Sequence, residues 1–392
     1  MKMRIPIGLV RTIIGGKGDT MSIQLIEILK EFVFPNRARL AVPTLDGTLR
    51  PNSAIDQLSV LAESFQEPDD LAMDMEGNLY VSTKNRVLRL SGDRFKEMNV
   101  IIEREELSGG LNFHPDGRLM VCVKGIGLAL INKDGETTWI KEVSGQPIQC
   151  PNSAVVGPDG NIYITDGTTC QNSWGWVQDL MEKQSAGRLL RYSPNTKKCE
   201  VLISNLRYPN GIEISHDQQW LLLSESWNHT VSRYPVTDIR PQTRDTVISN
   251  LPGYPGRIVS SNDGGYWMCI FAMRTALLEF VLTETKFRKE MMRTMEPCHW
   301  VAPALFSGED HLEPLQGGGI KQLGIIKPWA PPRSYGLVIK MDEEFQIVES
   351  LHSRANGKRH GITGLCEHDG DLYIVSKGHG LILKTKEIVR LQ

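Results

Sequence analysis

Polar residues recur at one position of a repeated sequence pattern, just ahead of a short apolar run. Asp69 stands there in EPDDLAM, Asn152 in CPNSAVV and Asn210 in YPNGIEI. The matching stretch YPGRIVS has Gly256 and Arg257 instead. Carboxylate and carboxamide oxygens are ligands that Ca²⁺ takes. If these positions meet in space, Asp69, Asn152 and Asn210 predict a divalent-cation site. The alternative is that both asparagines are ordinary turn residues, since Asn is common in turns.

A repeat explains how such distant residues can meet. A turn with Asp and usually Gly precedes an alternating apolar strand at six places: Asp74–Ser82, Pro115–Val123, Pro158–Asp166, His216–Glu225, Asn262–Ile270 and His368–Ser376. A second short strand precedes each copy and a third follows most of them, which describes a β-meander. Repeats of about 40–60 residues built from such strands are typical of propeller blades. The sequence therefore predicts an all-β protein, a six-bladed β-propeller whose inner strands bring the polar positions to a central channel. An open β-sandwich is the alternative, and the regular spacing disfavours it.

Segments outside the repeat divide the chain further. Residues 1–50 are predicted to be an N-terminal extension with a helix at Ser22–Phe34, and residues 51–392 the propeller. Insertions at 168–186 and 273–336 interrupt blades three and five, begin as helices, and are predicted to cap one mouth of the channel. Trp174, His299 and Trp300 lie on these caps and are predicted to contact a substrate, with ordinary packing as the alternative.

The run from Asn152 to Tyr234, with NSAVVGPDGNIYITDGT, AGRLLRYSP and LRYPNGIEISHDQQWLLLSESWNHTVSRY, and the later LPGYPGRI, resembles the strictosidine synthase-like group. That group belongs to the gluconolactonase/SMP-30 and paraoxonase superfamily of six-bladed propellers. The resemblance extends from about Gln66 to the C-terminus. It implies hydrolysis of lactones or esters, with one Ca²⁺ in the channel. The glutamate that opens blade six in strictosidine synthase matches Gly364, so the resemblance does not imply its condensation chemistry.

The implied metal site is incomplete in this chain. The resemblance places three of the expected ligands at Asp69, Asn152 and Asn210, but the Asp or Asp-Asn that opens blade five falls on Gly256 and Arg257. A guanidinium about 6 Å from a divalent ion would repel it by about 5 kcal/mol at an effective dielectric of about 20. Arg257 therefore points away from the channel, or weakens the ion's binding, or replaces the ion.

A guanidinium in place of the ion has chemistry of its own. Arg257 would bind an acidic group or a developing oxyanion. His360, in KRHGITG beside the opening of blade six, is the predicted proton-transfer group, with a packing role as the alternative. Asp166 and Glu225 end the middle strands of blades three and four, and we expect them to orient groups of the inner strands.

Composition bounds the function class. A net charge of −2 and 23% charged residues describe an ordinary globular protein without the basic field that nucleic acids require. No stretch approaches the roughly 18 uninterrupted apolar residues of a membrane span. Seven cysteines without a CxxC motif favour a reducing compartment, so the predicted location is the cytoplasm.

The sequence thus predicts a hydrolase of lactone or ester type, acting on a small, partly apolar, acidic substrate in the channel. The predicted cofactor is a divalent metal such as Ca²⁺, and Arg257 counts against it. One alternative is a metal-independent enzyme of another reaction type that uses Arg257 and His360. The other is a non-catalytic propeller that binds a small molecule or a partner protein. The oligomeric state is left open.

Overall fold

A computed structural model describes residues 42–105, 108–170, 175–308, 321–322, 325–326 and 333–385. The predicted helix Ser22–Phe34 and the predicted substrate contact Trp174 lie outside these residues. Within them, six four-stranded antiparallel sheets repeat one connectivity, with the strands in chain order from the innermost outward in the first five. The protein is a six-bladed β-propeller, which confirms the predicted fold class.

The strands, numbered in chain order, divide among the blades as follows. Blade one holds β2–β5, at Asp70–Met73, Leu79–Ser82, Arg86–Ser91 and Glu97–Glu103, and blade two holds β6–β9, at Ser108–Phe113, Leu119–Val123, Gly127–Ile131 and Thr137–Ile140. Blade three holds β12–β15, at Pro151–Val156, Ile162–Asp166, Gly187–Ser193 and Lys198–Leu206, and blade four holds β16–β19, at Pro209–Ile214, Trp220–Glu225, Thr230–Pro235 and Asp245–Ile248. Blade five holds β20, β21, β24 and β25, at Gly253–Ser260, Tyr266–Met273, Gly336–Met341 and Ile347–Ser353. Two-stranded ribbons are formed by β10 and β11, at Glu142–Val143 and Gln146–Pro147, and by β22 and β23, at Lys321–Gln322 and Ile325–Ile326.

Blade six closes the ring with a strand from the other end of the propeller. Its inner three strands are β26–β28, at Ile362–His368, Asp371–Ser376 and Leu381–Lys384, and its outer strand is β1, at Ser59–Ala62. Ser59 pairs with Lys384 and Val60 with Leu383. Closing a ring in this way leaves only short, protected sheet edges.

The middle strands supply the core between neighbouring blades. All five residues of β7 are buried, and so are all five of β8. Their alternate side chains face the blade on either side, so these strands are apolar on both faces. One cluster joins β7 to blade one through Val121 and Val87, and another joins it to blade three through Cys122 and Ile164.

Three helices pack against the blades in one apolar cluster with Tyr208, Tyr254 and Phe271. They are α1 at Trp176–Glu182, α2 at Ala276–Thr283 and α3 at Thr285–Thr294, within the two insertions that the sequence indicated. Asp179 of α1 accepts a hydrogen bond from Trp227 Nε1 at 2.7 Å, which ties this helix to blade four. Among the described residues, no helix has the length and apolarity needed to cross a bilayer.

The inner strands open with a break in their pairing. The register shifts between Ser108 and Leu111 in blade two and between Pro209 and Ile212 in blade four, with similar shifts in blades three, five and six. Such bulges leave one or two residues without a ladder partner and turn them out of the sheet. The predicted channel residues Asn152, Asn210 and Arg257 lie in these breaks.

The close approach of adjacent inner strands can be tested at two neighbouring glycines. A Cβ on Gly110 would lie 2.1 Å from the Asn152 carbonyl oxygen, whereas the nearest atom to a Cβ on Gly109 would be 3.5 Å away. We expect Gly110→Ala to lower the free energy of unfolding by about 1–3 kcal/mol or more, because overpacking shifts backbone. Gly109→Ala is the matched control and should change it little. Equal unfolding midpoints in urea for the two variants would contradict this packing.

Candidate active site

In blades three and four, a side chain near the end of the middle strand holds the bulged opening of the inner strand and reaches the next blade. Thr165 Oγ1 accepts a hydrogen bond from Ser153 N–H at 3.0 Å and donates to the Asn210 carbonyl at 2.7 Å. Ser224 Oγ donates to the Gly256 carbonyl at 2.7 Å. These bonds link blade three to blade four and blade four to blade five, so the opening residues are fixed with respect to one another.

Arg257 reaches from this framework into the channel and joins four blades. Its Nη1 donates to the carbonyl oxygens of Thr363 and Asp69 at 2.6 and 3.2 Å. Its Nη2 donates to Asp69 Oδ2 at 2.7 Å and to the Asn152 carbonyl at 3.3 Å. Nε forms an ion pair with Asp70 Oδ2 at 2.8 Å, although the angle there is poor for a hydrogen bond. The guanidinium therefore has acceptors on blades one, three and six.

Two adjacent aspartates neutralise this cation in different ways. Asp69 Oδ1 also contacts Lys377 Nζ at 2.7 Å. Although burial raises the pKa of Asp69, the charges of Lys377 and Arg257 together hold it below its usual range, so Asp69 is ionised. Burial raises the pKa of Asp70 to about 7, against the opposing effects of Arg257 and the Leu111 N–H. Asp69 is thus the permanent counter-ion that faces the channel.

The residues predicted to hold a metal do come together, but they do not fit a divalent cation. Both carboxylate oxygens of Asp69 are held by basic side chains. The Asn152 amide donates to the Pro209 carbonyl at 2.8 Å, and the guanidinium of Arg257 lies among the expected ligands. Ca²⁺ needs six to eight oxygens. No group of three His, Cys, Asp or Glu that could hold a metal occurs in the described part of the chain. Of the three possibilities for Arg257, its place among the expected ligands excludes a side chain that points away from the channel and favours replacement of the ion.

A cleft of about 690 Å³, including its open mouth, lies over Arg257. Its polar side carries Glu67, Lys84, Lys124 and Lys377, none of which the sequence reasoning selected. Its apolar side carries Trp176, Tyr208, Phe271 and Leu305. A signal for the lysines does exist, since each follows a middle strand, in LYVSTK, LMVCVK and LYIVSK. These strands belong to blades one, two and six, which are neighbours in the ring, so the lysines share one side of the cleft.

His360 lies away from this cleft and has no ring nitrogen free. Nε2 is 2.8 Å from the Arg354 carbonyl oxygen, to which it must donate, and Nδ1 is 2.8 Å from Ser334 Oγ and accepts from it. The residue is 4% exposed, and burial lowers the pKa of its imidazole. The structure therefore gives His360 a packing environment and no contact with the cleft, and we assign it no proton transfer.

The predicted substrate contacts on the cap are also placed elsewhere. Trp300 is buried in a cluster with Trp227 and Phe271, and its Nε1 donates to the Met295 carbonyl at 3.0 Å. His299 is exposed at the end of a 3₁₀ turn, Pro297–His299, and does not line the cleft. The side chain that reaches the cleft from α1 is Trp176.

Asp166 and Glu225 hold the turns that lead into the inner strands. Asp166 Oδ1 accepts from Cys150 N–H at 2.7 Å, and its Oδ2 contacts Arg188. Glu225 Oε2 accepts from Arg207 N–H at 2.8 Å. These turns precede Asn152 and Asn210 by a few residues, so both acids act on the channel through the backbone.

Loss of the central guanidinium should be costly. We expect Arg257→Met to lower the free energy of unfolding by about 3–5 kcal/mol, because Asp70 loses its cation, Asp69 keeps only Lys377, and three buried carbonyls lose a donor. Arg257→Lys should lower the free energy of unfolding by less than Arg257→Met does, since an ammonium keeps the charge but cannot make all the contacts of a guanidinium. Urea unfolding measures the effect. Arg191→Met, which breaks an exposed pair with Glu200, is the control and should cost under about 1 kcal/mol. Equal costs for Arg257→Met and Arg191→Met would refute the central role.

The state of His360 can be measured directly by NMR titration of the histidine ring signals, assigned with His360→Gln. We expect a pKa below the ordinary value of about 6.5, because burial disfavours the charged ring. Below about pH 6.5 the imidazole of the unfolded chain binds a proton that the folded imidazole does not bind. The free energy of unfolding therefore decreases as the pH falls. A pKa at or above 6.5 would show instead that the ring is solvated and available for proton transfer.

Comparison with known proteins agrees with this architecture. The family described as SMP-30/Gluconolactonase/LRE-like region matches residues 86–312, more than half of the chain. An adipocyte plasma membrane-associated protein of Salmo salar is 26% identical over 375 residues, covering 89% of this chain and 83% of that protein. The protein strictosidine synthase-like 13 of Arabidopsis thaliana is 28% identical over 259 residues, covering 64% of this chain and 58% of that protein.

Solved structures show the same fold at low identity. A gluconolactonase of Xanthomonas campestris superposes with a TM-score of 0.55 at 15% identity, over 83% of this chain and 87% of that one. The calcium-binding protein regucalcin of Agrobacterium tumefaciens gives a TM-score of 0.55 at 12% identity, over 84% of this chain and 93% of that one. Together with the match over residues 86–312, these findings confirm the resemblance noted in the sequence, and the chain belongs to the SMP-30/gluconolactonase/LRE-like family of propellers.

Proposed function

We propose that the channel mouth binds a small, partly apolar ester or lactone and hydrolyses it without a divalent metal. The observation that carries this proposal is the guanidinium of Arg257 among the expected metal ligands, with its terminal donors taken by the protein. Membership of a gluconolactonase-like family supports a lactonase-type hydrolase as the class of activity. Lys377, which shares Asp69 with Arg257, is a cation of the cleft wall that can meet a substrate.

The reaction divides between two side chains of the cleft. Glu67, whose side chain is 50% exposed, accepts a proton from water as the water oxygen bonds to the acyl carbon. The ammonium of Lys377 stabilises the oxyanion that forms. When the intermediate collapses, the bond from the acyl carbon to the alkoxy oxygen breaks, and the proton held by Glu67 passes to that oxygen. Acid and alcohol leave, and the two side chains return to their starting charges.

Arg257 takes part in this scheme as a positioning residue. It holds Asp69 by one oxygen, and Asp69 holds the Lys377 ammonium by the other at 2.7 Å. A flexible lysine is thereby kept at one point of the cleft wall, and fixed donors are worth more in a transition state than mobile ones. The guanidinium thus orients the catalytic group, as a metal ion would, while Lys377 supplies the positive charge that stabilises the oxyanion.

The apolar side of the cleft suits the carbon skeleton of such a substrate. Trp176 packs edge-on against Phe271 at a centroid distance of 5.3 Å, and Tyr208 stacks on Trp227 at 4.5 Å. These contacts fix the rings before a substrate arrives, so little side-chain freedom is lost on binding. A wall of this kind favours a flat or ring-bearing group.

Binding without turnover is a second candidate. It is favoured because few carboxylates in the cleft are free to accept a proton. Both oxygens of Asp69 are held by basic side chains, and Glu67 is the other carboxylate among the described residues that line the cleft. Glu67 itself lies 3.4 Å from Lys84. In this case the small-molecule ligand would be retained unchanged.

The cytoplasmic location stays a prediction, and the Salmo salar relative is named for association with a plasma membrane.

Hydrolysis is tested with aryl esters and lactones in the presence of EDTA. We expect turnover that EDTA and added Ca²⁺ do not change. Lys377→Met should lower kcat by about 10²–10³-fold, because it removes an oxyanion donor, and Glu67→Gln by about 10²-fold or more, because it removes the base. Lys133→Met, at an exposed lysine of blade two, is the control. Loss of activity in EDTA with recovery in Ca²⁺ would contradict the proposal, and wild-type turnover in both cleft variants would exclude the assigned roles.

A further inference from the structure

The charges of the cleft do not balance. Four basic side chains line it, namely Lys84, Lys124, Arg257 and Lys377. Glu67 pairs with Lys84, Asp69 pairs with Arg257 and Lys377, and Asp70 lies beneath Arg257. Four cations therefore face three carboxylates, so at least one positive charge is left without a counter-ion.

The unbalanced charge is Lys124. Among the described residues, its ammonium contacts no carboxylate and donates no hydrogen bond, whereas the three other cations of the cleft each have an acidic partner. The side chain is half-buried at the end of β7, with Gly109 and Asn152 in the same cleft wall. Removing a lysine ammonium from water without a partner is unfavourable. A ligand that supplied an anionic group here would remove that cost.

Lys124 lies in the same cleft as the residues of the proposed chemistry, since Asp69 and Lys377 also line it. It follows β7 of blade two, whereas Lys377 follows β27 of blade six. Its charge also adds to those of Lys377 and Arg257 in holding down the pKa of Asp69, which burial alone would raise. A substrate with two oxygen-bearing groups can meet both lysines at once.

We propose that Lys124 binds a free carboxylate on the substrate, so that the site takes esters or lactones carrying one additional carboxylate and a ring-bearing apolar group. The proposal rests on the proposed function for the ester or lactone part. The apolar group lies against Trp176 and Phe271, and the carboxylate pairs with the one cation that lacks a partner. A monoanion matches the one lysine of the cleft that lacks a carboxylate partner among the described residues, whereas a phosphate monoester carries about −1.5 to −2 at neutral pH. Recognition of an acid thus belongs to Lys124, in place of the role expected for Arg257.

Binding is measured first, by isothermal titration of benzoate, of its neutral counterpart benzamide and of inorganic phosphate. We expect benzoate to bind at least tenfold more tightly than benzamide or phosphate. Lys124→Met should abolish that difference by weakening benzoate alone, and Lys124→Arg should restore it, because the charge returns. Lys133→Met is the surface control. Equal affinity of the wild-type protein for benzoate and benzamide, or unchanged benzoate affinity in Lys124→Met with an unchanged melting temperature, would overturn the proposal, and so would phosphate binding more tightly than benzoate.

Turnover gives a second readout that separates this inference from the proposed function. Monophenyl succinate, which has a free carboxylate, is compared with its methyl ester. We expect kcat/KM to favour the acid by at least tenfold in the wild-type protein, and the preference to disappear in Lys124→Met mainly through KM. Hydrolysis without a preference for the acid would refute the carboxylate site and leave the hydrolase standing. Lys124-dependent benzoate binding without hydrolysis of either ester would leave the carboxylate site standing and refute the hydrolase.

Discussion

The guanidinium of Arg257 is the interaction on which the rest of the channel depends. Six inner strands open toward one axis, five of them with a bulge, and their ends expose backbone carbonyls and carboxylates that need a cation. A metal ion would satisfy them with a charge of two and no preferred direction. Arg257 satisfies them with one charge and several directed N–H groups, to the Asp69 and Asp70 side chains and to the carbonyls of Asp69, Asn152 and Thr363. The cation is therefore part of the chain, and its binding is part of folding.

This arrangement shifts the chemistry of the site from the axis to the cleft wall. A saturated guanidinium has no donor left for a substrate, so the groups that can act are those one step removed, Lys377 through Asp69, and Lys124 on the neighbouring side. The ends of the middle strands serve different purposes around the ring. In blades three and four, Asp166 and Glu225 hold backbone turns, whereas blades one, two and six present lysines to the cleft. One side of the cleft is consequently cationic and the other aromatic.

The fold was predictable from the sequence because propeller blades repeat local patterns. Alternating apolar strands and Asp-Gly turns depend on nearby residues, so the six blades and the place of Arg257 at the opening of an inner strand followed from the repeat, whereas the direction of its side chain did not. The partners of Arg257 did not follow, since Asp69 lies 188 residues away along the chain. His360 was predicted to transfer protons because it lies near Thr363, but it precedes the bulge at Thr363 and its ring contacts Ser334 and the Arg354 carbonyl instead. Trp300, an aromatic residue on a cap, was equally consistent with a core position.

The central claim is that Arg257 takes the place of a metal ion. A crystal structure of the protein grown in millimolar CaCl₂ tests this most directly. The account predicts electron density for the guanidinium within hydrogen-bonding distance of Asp69 and within ion-pair distance of Asp70, with no ion on the axis. An ion bound by Asp69, Asn152 and Asn210, with Arg257 turned out of the channel, would contradict it.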